Sequence, residues 1–304
     1  MPSEILVTPK ITPDLDGVSC AVAYAHLLGD TAQGILTGNP QSEVQYFITQ
    51  HGIAVPTRPD DLNGPWTKFV LVDASSMKGM PKIVKAEQVI EIIDHREASP
   101  ETEFPHAKIQ NNPIGAAATI VVERFIQAGK MPAPDHAKLL YGAIFHNTLD
   151  LLASNTDPRD KAAIRFLEAN YDLNHQMVAD MFTYSTTAIL ADVRKALVED
   201  YKTFSPYVFC QLIIWGGDLK FHEEEIRITL QELEQKSSSQ WSILSTVDLE
   251  KRKNIFWAES PKAQAVLEQT LGVKFDGNWA TLSPVLLRKQ IYPQIAAVLK
   301  SPQG

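Results

Sequence analysis

Short apolar, β-branched runs alternate with longer amphipathic stretches through the first half of this chain, and that alternation restricts the fold more than any other feature. SEILVTP, VQYFITQ, TKFVLVDAS and QVIEIIDH have the length and Val/Ile content of buried strands. Between and after them stand GVSCAVAYAHLLGD, PIGAAATIVVERFIQAG, DHAKLLYGAIFHNTL and PRDKAAIRFLEAN, which carry helical periodicity. Strands separated by helices require right-handed crossovers, hence a mostly parallel sheet flanked by helices on both faces. In such a sheet reactive groups collect at the carboxyl ends of the strands.

A second unit is expected after the helical AILADVRKALVEDY. It reads as a strand (YVFCQLIIWG), a helix (FHEEEIRITLQELEQK), two strands (QWSILSTVD and NIFWAES), a helix (PKAQAVLEQTLG) and a last strand near NWATLSPVLL. That order predicts a smaller α/β domain with a mixed sheet. The expected domains are 1–185 and 186–304, with Asn174 to Ala188, carrying the Thr-rich TYSTTA, as the inter-domain region. A chain of 304 residues, 44% of them hydrophobic, can bury a core in each.

The formal charge of −8 opposes binding of long nucleic acid, because nonspecific affinity comes from phosphates neutralised by Lys and Arg. A small anion remains compatible if cations gather locally. With no basic leader and no run of about 18 apolar residues, the reading is a soluble, cytoplasmic protein without membrane association. Cys20 and Cys210 lack CxxC spacing and are expected to be buried, reduced and structural.

Three strand ends finish in acid or imidazole: ITPDLDG supplies Asp14 and Asp16, VLVDAS supplies Asp73, and IIDHR supplies Asp94 and His95. Parallel strands would bring all three to one rim. Carboxylates with one imidazole suit manganese, magnesium or cobalt better than a structural zinc, which prefers thiolates or more histidine.

In this order PDLD, VDAS, IIDHR and GAAAT (Gly115 to Thr119) resemble the DHH phosphoesterase superfamily. The nearest branch is the manganese-dependent family II inorganic pyrophosphatases, with exopolyphosphatases and prune-like proteins as relatives. EDYKTF, STVD and LLRKQIYP extend the resemblance into the second unit. The resemblance implies a hydrolase with a DHH-type catalytic domain and an associated phosphate-binding domain, and a possible homodimer. It makes Asp14, Asp16, Asp73 and His95 metal ligands, with Asp94 orienting His95 or supporting the site from behind the ligands, and a catalytic group of Asp94, His95 and Arg96. Lys10, Arg96, Lys202, Arg288 and Lys289 would hold substrate phosphate. The implied cofactor is a divalent ion, manganese first, magnesium or cobalt next.

Four positions depart from that pattern. Lys10 stands where the family has a ligating histidine, and Asn147 stands where it has an aspartate ligand. Asn147 could still offer a carbonyl oxygen. Arg96 replaces the second histidine of the DHH triplet, and Leu287 occupies an expected arginine position. His146 and Asp150 are near enough in sequence to compensate, although their spacing points them in different directions. His26, His106, His136 and His175 receive no site role. The implied reaction is hydrolysis of pyrophosphate or short polyphosphate by a metal-activated water. The alternatives are a degenerate module that binds phosphate compounds or a protein, and a phosphodiesterase on small oligonucleotides or cyclic dinucleotides.

Overall fold

The strand ILVT at residues 5–8 is flanked on both sides by other parallel strands, and three of its four side chains are buried. This is β1 (Ile5–Thr8), the second strand of a five-stranded sheet in the computed structural model, which describes residues 4–54, 66–96 and 102–300. The other strands are β2 (Ala32–Gly34), β3 (Lys68–Val72), β4 (Val89–Asp94) and β5 (Lys108–Asn111). Their order is β2-β1-β3-β4-β5, and every neighbouring pair is parallel. Ile92 and Ile93 point to opposite faces of β4 and neither is exposed, as a sheet covered on both sides demands. Truncating either to Ala should cost about 2 to 5 kcal/mol.

One face packs Leu6, Phe69, Leu71 and Ile92 against Met80, Val84 and Phe104. Helices α1 (Leu15–Leu28), α3 (Ala117–Gln127), α4 (Pro134–Asn147) and α5 (Pro158–Asn170) make up most of the remaining structure of this unit. VQYFITQ, expected as a strand, is instead α2 (Ser42–Gln50). Its buried positions, Glu43, Val44, Tyr46 and Phe47, recur at spacings of three and four, and a short apolar run does not by itself distinguish that pattern from a strand.

The chain divides into two compact units, Met1–Met181 and Phe182–Gly304. The expected inter-domain stretch is helical, because α6 (His175–Ala191) runs through it and the division falls inside this helix. Thr186 and Thr187 donate their hydroxyls to the carbonyls of Phe182 and Thr183, which lets a Thr-rich segment stay helical.

The second unit continues with α7 (Val193–Asp200), β6 (Lys202–Phe204), β7 (Tyr207–Ile214), α8 (Glu223–Ser237), β8 (Trp241–Asp248), β9 (Lys253–Trp257), α9 (Pro261–Leu271), β10 (Trp279–Leu282) and α10 (Arg288–Lys300). Its sheet order is β10-β9-β8-β7-β6, with β7 and β8 parallel and the other pairs antiparallel. The fold is therefore α/β with a parallel sheet in one unit and a mixed sheet in the other. Both cysteines are free and buried. Among the described residues no helix is long and apolar enough to cross a membrane.

Candidate metal centre

The site follows from the strand order of the first sheet. β1, β3 and β4 are parallel neighbours, so their carboxyl ends share one rim. Beyond β1 the chain reaches Asp14, the N-cap of α1, whose Oδ1 accepts the Gly17 N–H at 3.2 Å. Asp16 lies in the first turn of α1 and is fully buried. Asp73 follows β3 directly, while Asp94 ends β4 and His95 comes next.

Asp16, Asp73 and His95 each present one ligand atom, all within 4.8 Å of one another. His95 Nε2 is 3.4 Å from Asp73 Oδ1 and 3.9 Å from Asp16 Oδ2. Across the ring, Nδ1 lies 3.1 Å from the Ile114 carbonyl. A carbonyl only accepts, so Nδ1 carries a proton and Nε2 faces the acids.

Burial raises the pKa of Asp16, and repulsion from Asp73 raises it further; burial likewise raises Asp73. Burial alone would lower the imidazole pKa of His95, but the hydrogen bond it donates to Asp73 and the charge of Asp16 outweigh it, so the net shift is upward. The ion-free cluster therefore retains protons that a divalent cation would displace. Two carboxylates and an imidazole nitrogen converge, a donor set suited to manganese, magnesium or cobalt.

Each ligand is held from behind. Asp16 Oδ2 accepts the Ala117 N–H at 2.8 Å and Oδ1 accepts the Ala118 N–H at 2.7 Å. These are orphan donors of α3, whose own N-cap, Ala116, has no side chain able to cap it. Asp16 thus serves as a cap supplied from a distant part of the chain, and the positive end of α3 favours its ionised form. The loop before α3 is fixed in turn by Asp160, which is fully buried. Its Oδ2 accepts the Gly115 N–H at 3.0 Å and the Asp157 N–H at 2.8 Å, and its Oδ1 accepts the Thr119 hydroxyl at 2.6 Å. A Cβ on Gly115 would lie 2.4 Å from Asp160 Oδ2, so the close approach requires glycine. Asp73 has a φ of 49°, the left-handed region that a residue with a Cβ rarely adopts. Its N–H donates to the Ile93 carbonyl, and its own carbonyl accepts from Arg96.

Several expected roles change. Asn147 turns its amide nitrogen to Asp16 Oδ2 at 2.6 Å, and does not present a carbonyl to the cluster. A neutral amide beside a buried carboxylate is best used as a donor. Asp94, fully buried, accepts the backbone N–H groups of His95 and Arg96 together with Arg96 Nε; the His95 ring is oriented by Ile114. Arg96 spends Nε on Asp94 and Nη2 on Asp73 Oδ1 at 2.9 Å, so it braces a ligand. Asp14 caps α1 and is not one of the three converging residues. Lys10 sits half-buried just beyond β1.

In the second unit Arg288 pairs with both Asp200 oxygens, at 2.6 and 3.2 Å, and donates to the carbonyls of Asp200 and Phe209. A guanidinium with only 15% of its side chain exposed needs such acceptors, and it anchors the start of α10. Lys202 and Lys289 are exposed. Asp150 pairs with His175 at 2.6 Å, which gives that histidine a partner its spacing did not suggest. Asp160 and Ile114 went unrecognised in the sequence. The motif DPRD, with Asp157 capping α5 and Pro158 at its first position, marks a capping box and was the available signal for Asp160; a backbone carbonyl leaves none.

Residues 4–144 match the DHH family, N-terminal domain. Over 307 residues the chain is 25% identical to a probable manganese-dependent inorganic pyrophosphatase of Deinococcus radiodurans, covering 96% of this chain and 97% of that protein. It shares its fold with a Methanococcus jannaschii protein assigned by name to the family II inorganic pyrophosphatases, with a TM-score of 0.68 and 20% identity over 96% of this chain and 98% of the other. An exopolyphosphatase-related protein from Bacteroides fragilis superposes with a TM-score of 0.51 at 13% identity, covering 98% and 92%.

Proposed function

We propose that this chain, whose residues 4–144 match the DHH family, N-terminal domain, is a metal-dependent phosphohydrolase acting on pyrophosphate or a short polyphosphate. The convergence of Asp16, Asp73 and His95 Nε2 from three neighbouring strand ends is the observation that carries the reading. Similarity to pyrophosphatases along most of the chain supports the substrate class.

In this reading Asp16, Asp73 and His95 hold a divalent ion, manganese first, with Asp14 beside them. When bound, the ion supplies Lewis-acid charge and makes water a better nucleophile at neutral pH. Asp94 keeps the turn after β4 in shape, and Arg96 steadies Asp73 while neutralising part of its charge. Asn147 is a positioning residue: its amide fixes Asp16 Oδ2 without adding negative charge. Lys10, just beyond β1, neutralises substrate phosphate, because charge on transferring phosphoryl oxygens needs local cations. The homodimer, carried over from the resemblance, and the cytoplasmic location are parts of the same proposal.

A second reading, binding of phosphate compounds without turnover, is favoured by Asn147, which leaves the cluster one carboxylate short of the family pattern. Phosphate release from pyrophosphate, tripolyphosphate and a dinucleotide, each with manganese, magnesium or cobalt, decides between them. Release from pyrophosphate or tripolyphosphate supports the hydrolase. No release from any substrate, by protein that is folded and binds manganese, supports the binder.

A further inference from the structure

The second unit has a cavity of about 400 Å³ that the chemistry above does not use. Its lining comes from the loops that follow the parallel strands β7 and β8 and from one face of β9 and β10. Crevices beyond the carboxyl ends of parallel strands are where α/β sheets bind ligands, and this volume lies within the range of small-molecule sites.

Four lysines reach it: Lys220, Lys251, Lys253 and Lys274. Two acids join them, Asp218 and Asp276, so the lining carries a net charge of +2 on a chain whose total is −8. Asp218 is already engaged, with Oδ1 accepting the Lys220 N–H at 2.9 Å. Ile255 and Trp279 form an apolar wall. Register sets part of that wall: Ile255 pairs with Thr281, and Lys253 lies two residues before Ile255 on the same face of β9.

The rim is constructed around a buried acid. Asp248, fully buried at the end of β8, accepts the Gly216 N–H at 3.2 Å and the Lys251 N–H at 3.1 Å through Oδ1. Its Oδ2 lies 3.1 Å from Lys251 Nζ, which also reaches the Gly217 carbonyl at 3.4 Å. Gly216 and Gly217 have φ values of 66° and 85°, and their left-handed backbone makes the turn that brings this carbonyl to the lysine. Asp248 and Lys251 therefore tie the two loops together, and Lys220, Lys253 and Lys274 supply the remaining charge.

We propose that this cavity binds a polyanion containing a phosphoanhydride chain. Lys220, Lys253 and Lys274 line one small volume from three different segments, so an anion with several linked phosphate groups can meet all three where a small monoanion cannot. Lysine ammoniums act as compact point charges that meet phosphate oxygens from several directions, whereas bidentate recognition of a carboxylate favours arginine, which the lining does not include. This site shares no residue with the metal cluster and does not depend on the activity proposed for it.

The test is isothermal titration of the full-length, metal-free protein, in EDTA, with tripolyphosphate and separately with ATP. Saturable binding is expected, weakened about tenfold or more by the double substitution Lys253→Glu, Lys274→Glu, and separately by Lys220→Glu. Asp73→Asn is expected to leave it unchanged, which separates this result from the fate of the hydrolase reading. Circular dichroism establishes that the exposed-lysine variants are folded. Equal affinity for the two probes identifies a bare phosphate chain, and a clear preference for ATP identifies a nucleoside triphosphate resting on the apolar wall; both support the site. Absence of binding by either probe at millimolar concentration, or binding that the lysine substitutions leave intact, overturns it.

Discussion

The two five-stranded sheets gather charge in opposite ways. In the first unit all strands run parallel, so three consecutive neighbours, β1, β3 and β4, deliver acids and an imidazole to one rim. Every charged group there is buried or braced by backbone donors and a second side chain. In the second unit only β7 and β8 are parallel, and the cations around the cavity are lysines brought in largely by loops and braced through one buried acid. A parallel sheet concentrates chemistry by topology, and the cost is desolvated acids. A mixed sheet leaves its cations in water, where they bind without being structural. Substitutions should therefore reach stability and ion binding together in the first unit, and ligand binding alone around the cavity of the second.

Asp73→Asn gives the largest expected effect. Losing the charge that faces His95 Nε2 should abolish manganese-induced thermal stabilisation and lower any hydrolysis by about a thousandfold or more, near 4 kcal/mol of barrier. Full activity in that variant would remove Asp73 from the site. Asp160→Ala comes next and tests whether the bracing is structural. It leaves the buried Gly115 N–H and the Thr119 hydroxyl without their acceptor and should cost about 3 kcal/mol in denaturant unfolding, with manganese affinity falling about tenfold because Asp16 loses its fixed platform. An unchanged midpoint would mean that the loop before α3 holds itself.

The same comparison explains what could be read without coordinates. β1, β3 and β4 were legible because central parallel strands are continuous apolar runs, and the acids at their ends stood out against them. β2 (AQG) and β5 (KIQN) were not, since short edge strands pair through backbone and bear no hydrophobic signature. The residues of the cluster were legible by type, but their partners were not. Asp160 reaches Gly115 across 45 positions, and Asn147 reaches Asp16 across 131, and spacing cannot encode such contacts. Arg288 was read as a phosphate cation for the same reason: its pairing with Asp200 exists only once α7 and α10 are assembled.

That pairing yields the third prediction, which sharpens the contrast inside the second unit. Arg288→Ala should destabilise the protein by about 2 kcal/mol, because the Asp200 carboxylate and two carbonyls lose their donor. Lys289→Ala, one residue away and exposed, should fall within about 0.5 kcal/mol of wild type. Equal losses in chemical unfolding would erase the distinction between a braced cation and a solvated one.

The smallest expected effect concerns protons. In the ion-free protein Asp16 is raised from 3.8 to about 8 by burial and by Asp73, so between those values the folded state holds a proton that the unfolded chain has released. Stability of the ion-free protein therefore falls as pH rises through that window. His95, raised from 6.5 to about 9 against the opposing effect of burial, contributes stability that is complete below 6.5 and is lost as pH climbs toward 9. Both slopes have the same sign. Manganese needs these groups deprotonated, so it competes with protons at low pH and relieves acid repulsion at high pH. The manganese-induced stabilisation should consequently be larger at about pH 8 than at about pH 7, by roughly 1.4 kcal/mol for one net proton displaced. Calorimetric scans with and without the ion at the two pH values measure it, and a larger stabilisation at the lower pH would mean that the ion binds through groups other than this cluster.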